Sequence, residues 1–278
     1  MKTTLKHFFP YLFCLILPLA SGYGNEDEVV VQPNPAEQER KAGDRMVLTI
    51  NDVEYPFRWC PPGTFMMGSP INERERGLDE IQHQVVLPHG FWMLETEVTQ
   101  EMWVGVMKNN NPSAIKGDKF PVDTVSWNEC HEYIQKLSGL NVVPSGWRFS
   151  LPTEAQWEYA CRAGTTTPFH FGDTLDRDSA NFGRNLARTA EVGSYPANAW
   201  ELRDMHGNVW EWCLDWYGNY PFVSVTDPVN ASSGSNRVLR GGGWFHVAND
   251  CRSAFRRNRD PSVRNHAIGF RLALVRAE

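Results

Sequence analysis

Apolar residues recur at helical spacing in three short stretches of the chain. The clearest begins at Ser126, where Ser126 and Glu129 form a capping box ahead of Trp127, Cys130, Ile134 and Leu137, and Gly139 marks its expected end. A second begins at Thr153, with Gln156 in the reciprocal capping position, Trp157, Ala160 and Cys161 on one face, and Gly164 after the end. A third covers roughly Thr99 to Met107 and should bury Met102, Trp103 and Val106. Short runs rich in β-branched and aromatic residues predict strands at Met46–Ile50, Tyr55–Trp59, His83–Leu87, Phe91–Leu94, Arg237–Arg240 and Gly269–Val275. Much of the remaining chain is rich in Gly, Pro, Asn and Asp. Irregular stretches of that length suit a compact domain when they are functional or pinned, and pinning by ligands or disulfides is the expectation.

The ends of the chain change the picture. Residues 1–24 place Lys2, Lys6 and His7 ahead of an apolar run from Phe8 to Ala20, followed by the small residues Ser21 and Gly22. That is the layout of a secretory signal peptide, with cleavage expected near Gly22 and an exported, periplasmic or secreted product. Pro10 and Pro18 interrupt the run, which is shorter than the roughly 20 residues a spanning helix needs, so no membrane span is expected after cleavage. Residues 25–44 are charged, carry Pro33 and Pro35 and offer few large apolar groups, the composition of a linker. Residues 45–278 then form one large domain.

Removing Lys2 and Lys6 from the 27 Lys and Arg, against 33 Asp and Glu, takes the formal charge from −6 to −8. This balance gives no support for nucleic acid or an anionic membrane as partner. The 11 Trp all follow the leader and supply either a large core or a ligand surface. Of six cysteines, five follow the leader: Cys60, Cys130, Cys161, Cys213 and Cys251. In an oxidising compartment disulfides are plausible, and the odd count leaves at least one thiol unpaired or joined to another chain. Asn230-Ala231-Ser232 fits a glycosylation acceptor pattern. There is no phosphate-cradling Gly-rich loop before a helix, no His-Glu-x-x-His and no Gly-x-Ser-x-Gly elbow.

Seven segments occur in a telling order: Gly63-Thr64-Phe65-Met66-Met67-Gly68-Ser69, Glu97-Val98-Thr99-Gln100, Val125-Ser126-Trp127, Leu151 through Cys161, Gly207-Asn208-Val209-Trp210-Glu211-Trp212, Arg240-Gly241-Gly242-Gly243-Trp244 and Gly269-Phe270-Arg271. Together they resemble the sulfatase-modifying-factor, or formylglycine-generating enzyme, superfamily over about Trp59 to Ala273. The resemblance implies an α+β domain, a C-type-lectin-like fold with low regular secondary structure. That family holds oxidases and non-catalytic ligand-display proteins, so fold alone does not fix function.

In the family's aerobic enzymes a Gly-Gly-Ser-Tyr-x-Cys-x-x-x-x-Cys pattern supplies two thiolates to Cu(I). Counting forward from Gly241, Gly243 stands at the Ser position, His246 at the first Cys and Cys251 at the second. The copper cysteine pair is then lost, although His246 and Cys251 remain competent ligands for copper or iron. Counting backward from Gly269, the resemblance instead implies a Cys161–Cys251 disulfide. It also implies a structural calcium on Asn208, Val209 and Glu211, which supply the hard oxygens Ca²⁺ prefers, with a second site beginning at Asn181 and Phe182 that lacks its acidic ligand. The alternative is that Asn208 caps a turn and Glu211 pairs with an Arg. The basic tail of Arg252, Arg256, Arg257, Arg259 and Arg264 either forms a wall for an anionic ligand or pins loops through ion pairs. The leading expectation is a pocket of Trp244, Phe245, His246 and Arg256 that binds a protein or peptide ligand, a sulfatase among the candidates. The competing expectation is an oxygen-dependent oxidase, such as one generating formylglycine on a sulfatase cysteine, using His246 and Cys251.

Overall fold

The computed structural model describes residues 40–108, 110–231 and 233–277. The leader and residues 25–39 of the linker lie outside them.

Three helices form where the capping signals stand. Helix α1 spans Gln100–Met107, α2 Trp127–Ser138 and α3 Glu154–Arg162. Each begins at a hydroxyl residue in extended conformation whose oxygen accepts the backbone N–H three residues on: Thr99 from Met102, Ser126 from Glu129, Thr153 from Gln156. At α2 and α3 the Glu129 and Gln156 side chains accept the cap residue's own N–H in return. All of the residues expected to be buried on these helices are buried.

Among the described residues twelve strands make three sheets. The five-stranded sheet runs β1 (Arg45–Ile50), β2 (Val53–Cys60), β5 (Phe91–Leu94), β12 (Ala273–Arg276), β6 (Trp147–Ser150). The four-stranded sheet runs β10 (Arg257–Arg259), β9 (Arg237–Arg240), β7 (Trp210–Trp216), β11 (Ile268–Gly269), and the three-stranded sheet β3 (Gly63–Met67), β4 (His83–Leu87), β8 (Val225–Thr226). The expected strand over Gly269–Val275 is two strands in different sheets: β11 pairs with β7, whereas β12 pairs with β5 and β6. Between them the buried Arg271 side chain turns inward to Glu211, and Val98 and Leu94 donate their N–H groups to the carbonyls of Phe270 and Leu272. The chain thus carries one sheet into the next.

One apolar cluster, around Trp59, Trp103, Trp210 and Trp212, lies beneath α1, α2 and the five-stranded sheet; another, around Trp157 and Trp200, surrounds α3. Most indoles serve the core. Among the described residues no helix is long and apolar enough to cross a membrane.

Candidate ligand pocket and buried polar centres

Strand β9 ends in Gly241-Gly242-Gly243, and this turn sets the site. Gly242 has φ +80°, and a Cβ there would stand 2.4 Å from Cys251 Sγ, so only glycine lets the backbone lie over that thiol. Beyond the turn, residues 244–246 are held from both sides. Trp244 N–H donates to the Asn208 carbonyl at 2.8 Å, while Gly183 and Arg184 donate to the carbonyls of His246 and Trp244 at 2.7 and 2.8 Å.

Trp244, Phe245 and His246, the expected ligand-binding residues, stand side by side, but Trp244 packs against Phe245 outside the lining of the pocket that Phe245 and His246 enter. All are half-buried, and the Phe245 ring stacks on His246 at 4.1 Å and faces Trp244 at 5.0 Å. Phe245 and His246 line a shallow pocket of about 110 Å³ with Trp210, Arg257 and Arg259. Burial, and then the charge of Arg257, push the His246 imidazole down to about 4, so the ring is neutral near pH 7. Burial and Arg259 also lower Arg257.

Arg256 does not join this pocket. Its guanidinium is buried and grips both oxygens of Glu154 at 2.7 and 2.8 Å, donates to the Asp79 carbonyl and lies 3.7 Å from the Tyr220 ring centroid. The basic tail therefore divides. Arg252 pairs with Glu73 and Glu80, Arg256 with Glu154 and Arg264 with Glu129, which pins loops. Arg257 and Arg259 line the pocket, and among the described residues neither forms a salt bridge.

The expected Cys161–Cys251 disulfide is not formed: all five described cysteines are buried free thiols. Cys161 Sγ faces Ser253 Oγ at 3.6 Å and His206 Nε2 at 3.8 Å, while Cys251 Sγ is directed to the Val247 carbonyl at 3.7 Å. His206 is a polar centre that sequence reasoning missed. Its Nδ1 donates to the Cys251 carbonyl at 2.7 Å and its Nε2 accepts the His170 N–H at 3.1 Å, which fixes the tautomer. Both partners are backbone groups from distant segments, so no sequence motif signals them. Burial drives His206 down to about 3, Cys161 up to about 12 and Cys251 well above the ordinary thiol range. Neither thiol is poised as a thiolate. Among the described residues no hydrogen bond joins His246 to Cys251, and no group of three or more His, Cys, Asp or Glu is placed to hold a metal ion.

Glu211, one of the expected calcium ligands, stands in an ion pair. Glu211 Oε1 accepts Arg271 Nη2 at 2.7 Å, and Oε2 accepts Arg271 Nε at 2.8 Å and the Trp157 indole at 2.6 Å, so both oxygens face donors. The alternative assignment, Glu211 paired with an Arg, is the arrangement present. Asn208 has φ +58° and its Oδ1 accepts Ala190 N–H at 2.8 Å and Asn181 Nδ2 at 3.3 Å. Val209 is fully buried beside it. Four buried oxygens lie nearby: Asn181 Oδ1 and Thr189 Oγ1, without a hydrogen-bond partner among the described residues, and Asp204 Oδ1 and Glu97 Oε2, whose carboxyls face one another, the other Glu97 oxygen accepting Asn208 Nδ2 at 2.9 Å. Burial, then Asp204, pushes Glu97 well up, and burial raises Asp204 to about 6. These hard, underused oxygens fit Ca²⁺ better than Glu211 does.

A loop-rich α+β scaffold that presents an aromatic and arginine-lined pocket from a glycine turn is the class of protein defined here. The chain belongs to the family described as "Sulfatase-modifying factor enzyme 1-like domain", which matches residues 56–276. It is 32% identical to the formylglycine-generating enzyme of Streptomyces coelicolor over 73% of this chain and 70% of that one. It is 31% identical to the serine/threonine-protein kinase pkn1 of Chlamydia caviae over 92% of this chain, but spans only 41% of that protein's length. Its structure superposes on Treponema denticola variable protein 1 with a TM-score of 0.74 at 29% identity, covering 82% of this chain and 98% of that one.

Proposed function

We propose that this chain is an exported binding module on the sulfatase-modifying-factor fold, which takes a protein or peptide segment at Trp244, Phe245 and His246 and does not run copper–thiolate chemistry. The observation that carries this reading is the division between the two sides of the glycine turn. On one side Arg257 and Arg259 line an aromatic pocket, and among the described residues no salt bridge reaches either, Asp250 acting on Arg257 only through space; on the other Cys251 is a buried, protonated thiol under Gly242. A guanidinium fork without a carboxylate favours an acidic side chain or C-terminal carboxylate, and the rings supply apolar contact. The oxidase reading, with copper or iron on His246 and Cys251, needs an accessible thiolate where burial disfavours one. Calcium, in this proposal, is structural and draws on Asn181, Asp204, Glu97 and Thr189. The leader supports export to the periplasm or beyond, and a sulfatase is one candidate partner.

The test measures binding of a library of acidic and neutral peptides to the purified chain, with Trp244→Ala and Arg257→Glu alongside. A cysteine-containing sulfatase-type peptide is incubated in parallel with the chain, Cu(I) and oxygen. Peptides that bind the parent and not the variants support the proposal; oxidation of the cysteine peptide that is abolished in Cys251→Ser overturns it.

A further inference from the structure

A second cavity, of about 260 Å³, lies between the start of α3, the end of β7 and the loop leading to β8, and shares no lining residue with the Trp244–His246 pocket. Its walls include His83, Glu154, Asp215, Trp216, Tyr220 and Arg256. The charged groups differ in their partners, some held by ion pairs and one by backbone N–H groups alone. Glu154 is held by Arg240 and Arg256, and Arg256 has its donors engaged by Glu154 and the Asp79 carbonyl. Asp215, only 5% exposed, accepts the backbone N–H of Glu154 at 2.7 Å and of Asn230 at 2.8 Å, and among the described residues no salt bridge reaches it. His83 is 4% exposed and packs on the Tyr220 ring at 4.9 Å. Its Nδ1 lies 2.9 Å from the Ile81 carbonyl and donates to it, which leaves Nε2 without a partner among the described residues.

We propose that this cavity binds a primary ammonium group on an aliphatic stem, as a lysine side chain or an alkylamine carries it, with the ammonium between Asp215 and His83 Nε2. Asp215, whose two oxygens each accept a single backbone N–H, and His83 Nε2 both have lone pairs to spare, so the ligand must donate. Among the described residues no salt bridge reaches Asp215, on which Arg256 and Arg237 act only through space, so a cationic donor suits it; burial and then Glu154 push its carboxyl up to about 6. One carboxylate and one imidazole are too few for a divalent ion, which takes several more ligands. An anion would meet the carboxylates of Asp215 and Glu154 on the same walls, while each nitrogen of Arg256 already donates to Glu154 or the Asp79 carbonyl. The volume suits a four-carbon stem running past Trp216 and Pro221. Just outside, Phe222 is 84% and Val223 66% exposed, and Leu78, next to Asp79, is 91% exposed, giving the stem's neighbours apolar surface to cover.

The site is independent of the peptide pocket and survives that pocket's failure. The experiment titrates the purified chain with n-butylammonium, the neutral analogue n-butanol and Nα-acetyl-lysine methylamide, following heat release and the methyl resonance of Met67, which lines the cavity. The expected result is saturable binding of the amines and none of butanol, with Asp215→Asn and His83→Phe each weakening the amines by at least about tenfold. His83→Phe keeps the ring packed on Tyr220 and guards against loss of fold, checked by circular dichroism. Tighter binding of the lysine derivative assigns the site to a protein side chain, and tighter binding of butylammonium to a free amine. Equal binding of butanol and butylammonium, absence of amine binding to the folded chain, or unchanged amine binding in both variants overturns the proposal.

Discussion

Glu211→Gln separates a structural ion pair from a metal ligand. In the parent both Glu211 oxygens accept from the Arg271 fork and one also accepts the Trp157 indole, with both charged side chains at or below 1% exposure. Removing the carboxylate's charge leaves Arg271 as a buried guanidinium beside backbone carbonyls, a change that costs about 3–5 kcal/mol. For a domain of this size about 1 kcal/mol shifts the melting temperature by roughly 2–4 °C, so a fall of about 6–20 °C is expected. Replacing both partners by apolar residues, Glu211→Leu with Arg271→Met, should recover most of that loss, because a buried pair is often no better than well-packed hydrocarbon. The assay is thermal unfolding of parent, single and double variants, in calcium and in chelator. If the Glu211→Gln deficit appears in calcium and vanishes in chelator, Glu211 is a calcium ligand and the pairing argument fails. A deficit equal in both media, and repaired by the double variant, is the expected result.

Three further outcomes follow. His206 has a folded pKa near 3 against 6.5 for the free group, so its stability contribution is complete above pH 6.5 and falls as pH drops towards 3; about 2 kcal/mol should be gone at pH 5, and His206→Gln should flatten the denaturant-midpoint profile between pH 7 and 5. Gly242→Ala places a methyl 2.4 Å from Cys251 Sγ at a positive φ and should destabilise by about 1–3 kcal/mol, read as a lower urea midpoint, with Cys251→Ala restoring part of it. Arg257→Glu should leave the melting temperature within about 2 °C, because Arg257 makes no salt bridge, yet weaken acidic peptides at least tenfold; a collapse of stability instead would show that Arg257 is structural.

The helices were legible because their signals are local: each cap and its N3 partner sit three residues apart, and the caps form as read. Strand β7 was not legible. Its sequence, Trp210 to Trp216, is buried on both faces over the first four positions, so the two-residue alternation that marks a half-buried strand is absent. The strand over Gly269–Val275 read as continuous because the apolar run hides the inward turn of Arg271, whose partner Glu211 is 60 residues away. The same distance problem affected the basic tail. Composition showed five arginines, but which are neutralised depends on Glu73, Glu80 and Glu154, 102 to 179 residues earlier in the chain.

The glycine turn after β9 explains why one short segment invited two opposed chemical readings. Gly242 brings the backbone down onto Cys251 and shuts the thiol in, while Trp244 and His246 are held by backbone hydrogen bonds to residues 183, 184 and 208. A two-thiolate copper site needs both sulfurs facing one accessible space. Here the second cysteine position faces the interior, and the first is His246, a ring that burial and Arg257 keep neutral. With that imidazole uncharged at pH 7, Arg257 and Arg259 are the pocket's formal charges. Ligand affinity at this surface should therefore fall with ionic strength, whereas coordination by His246 should fall with acid as the ring takes a proton. Those two dependences answer to different variables and have different origins, and measuring both on one ligand decides which chemistry the family's fold serves in this chain.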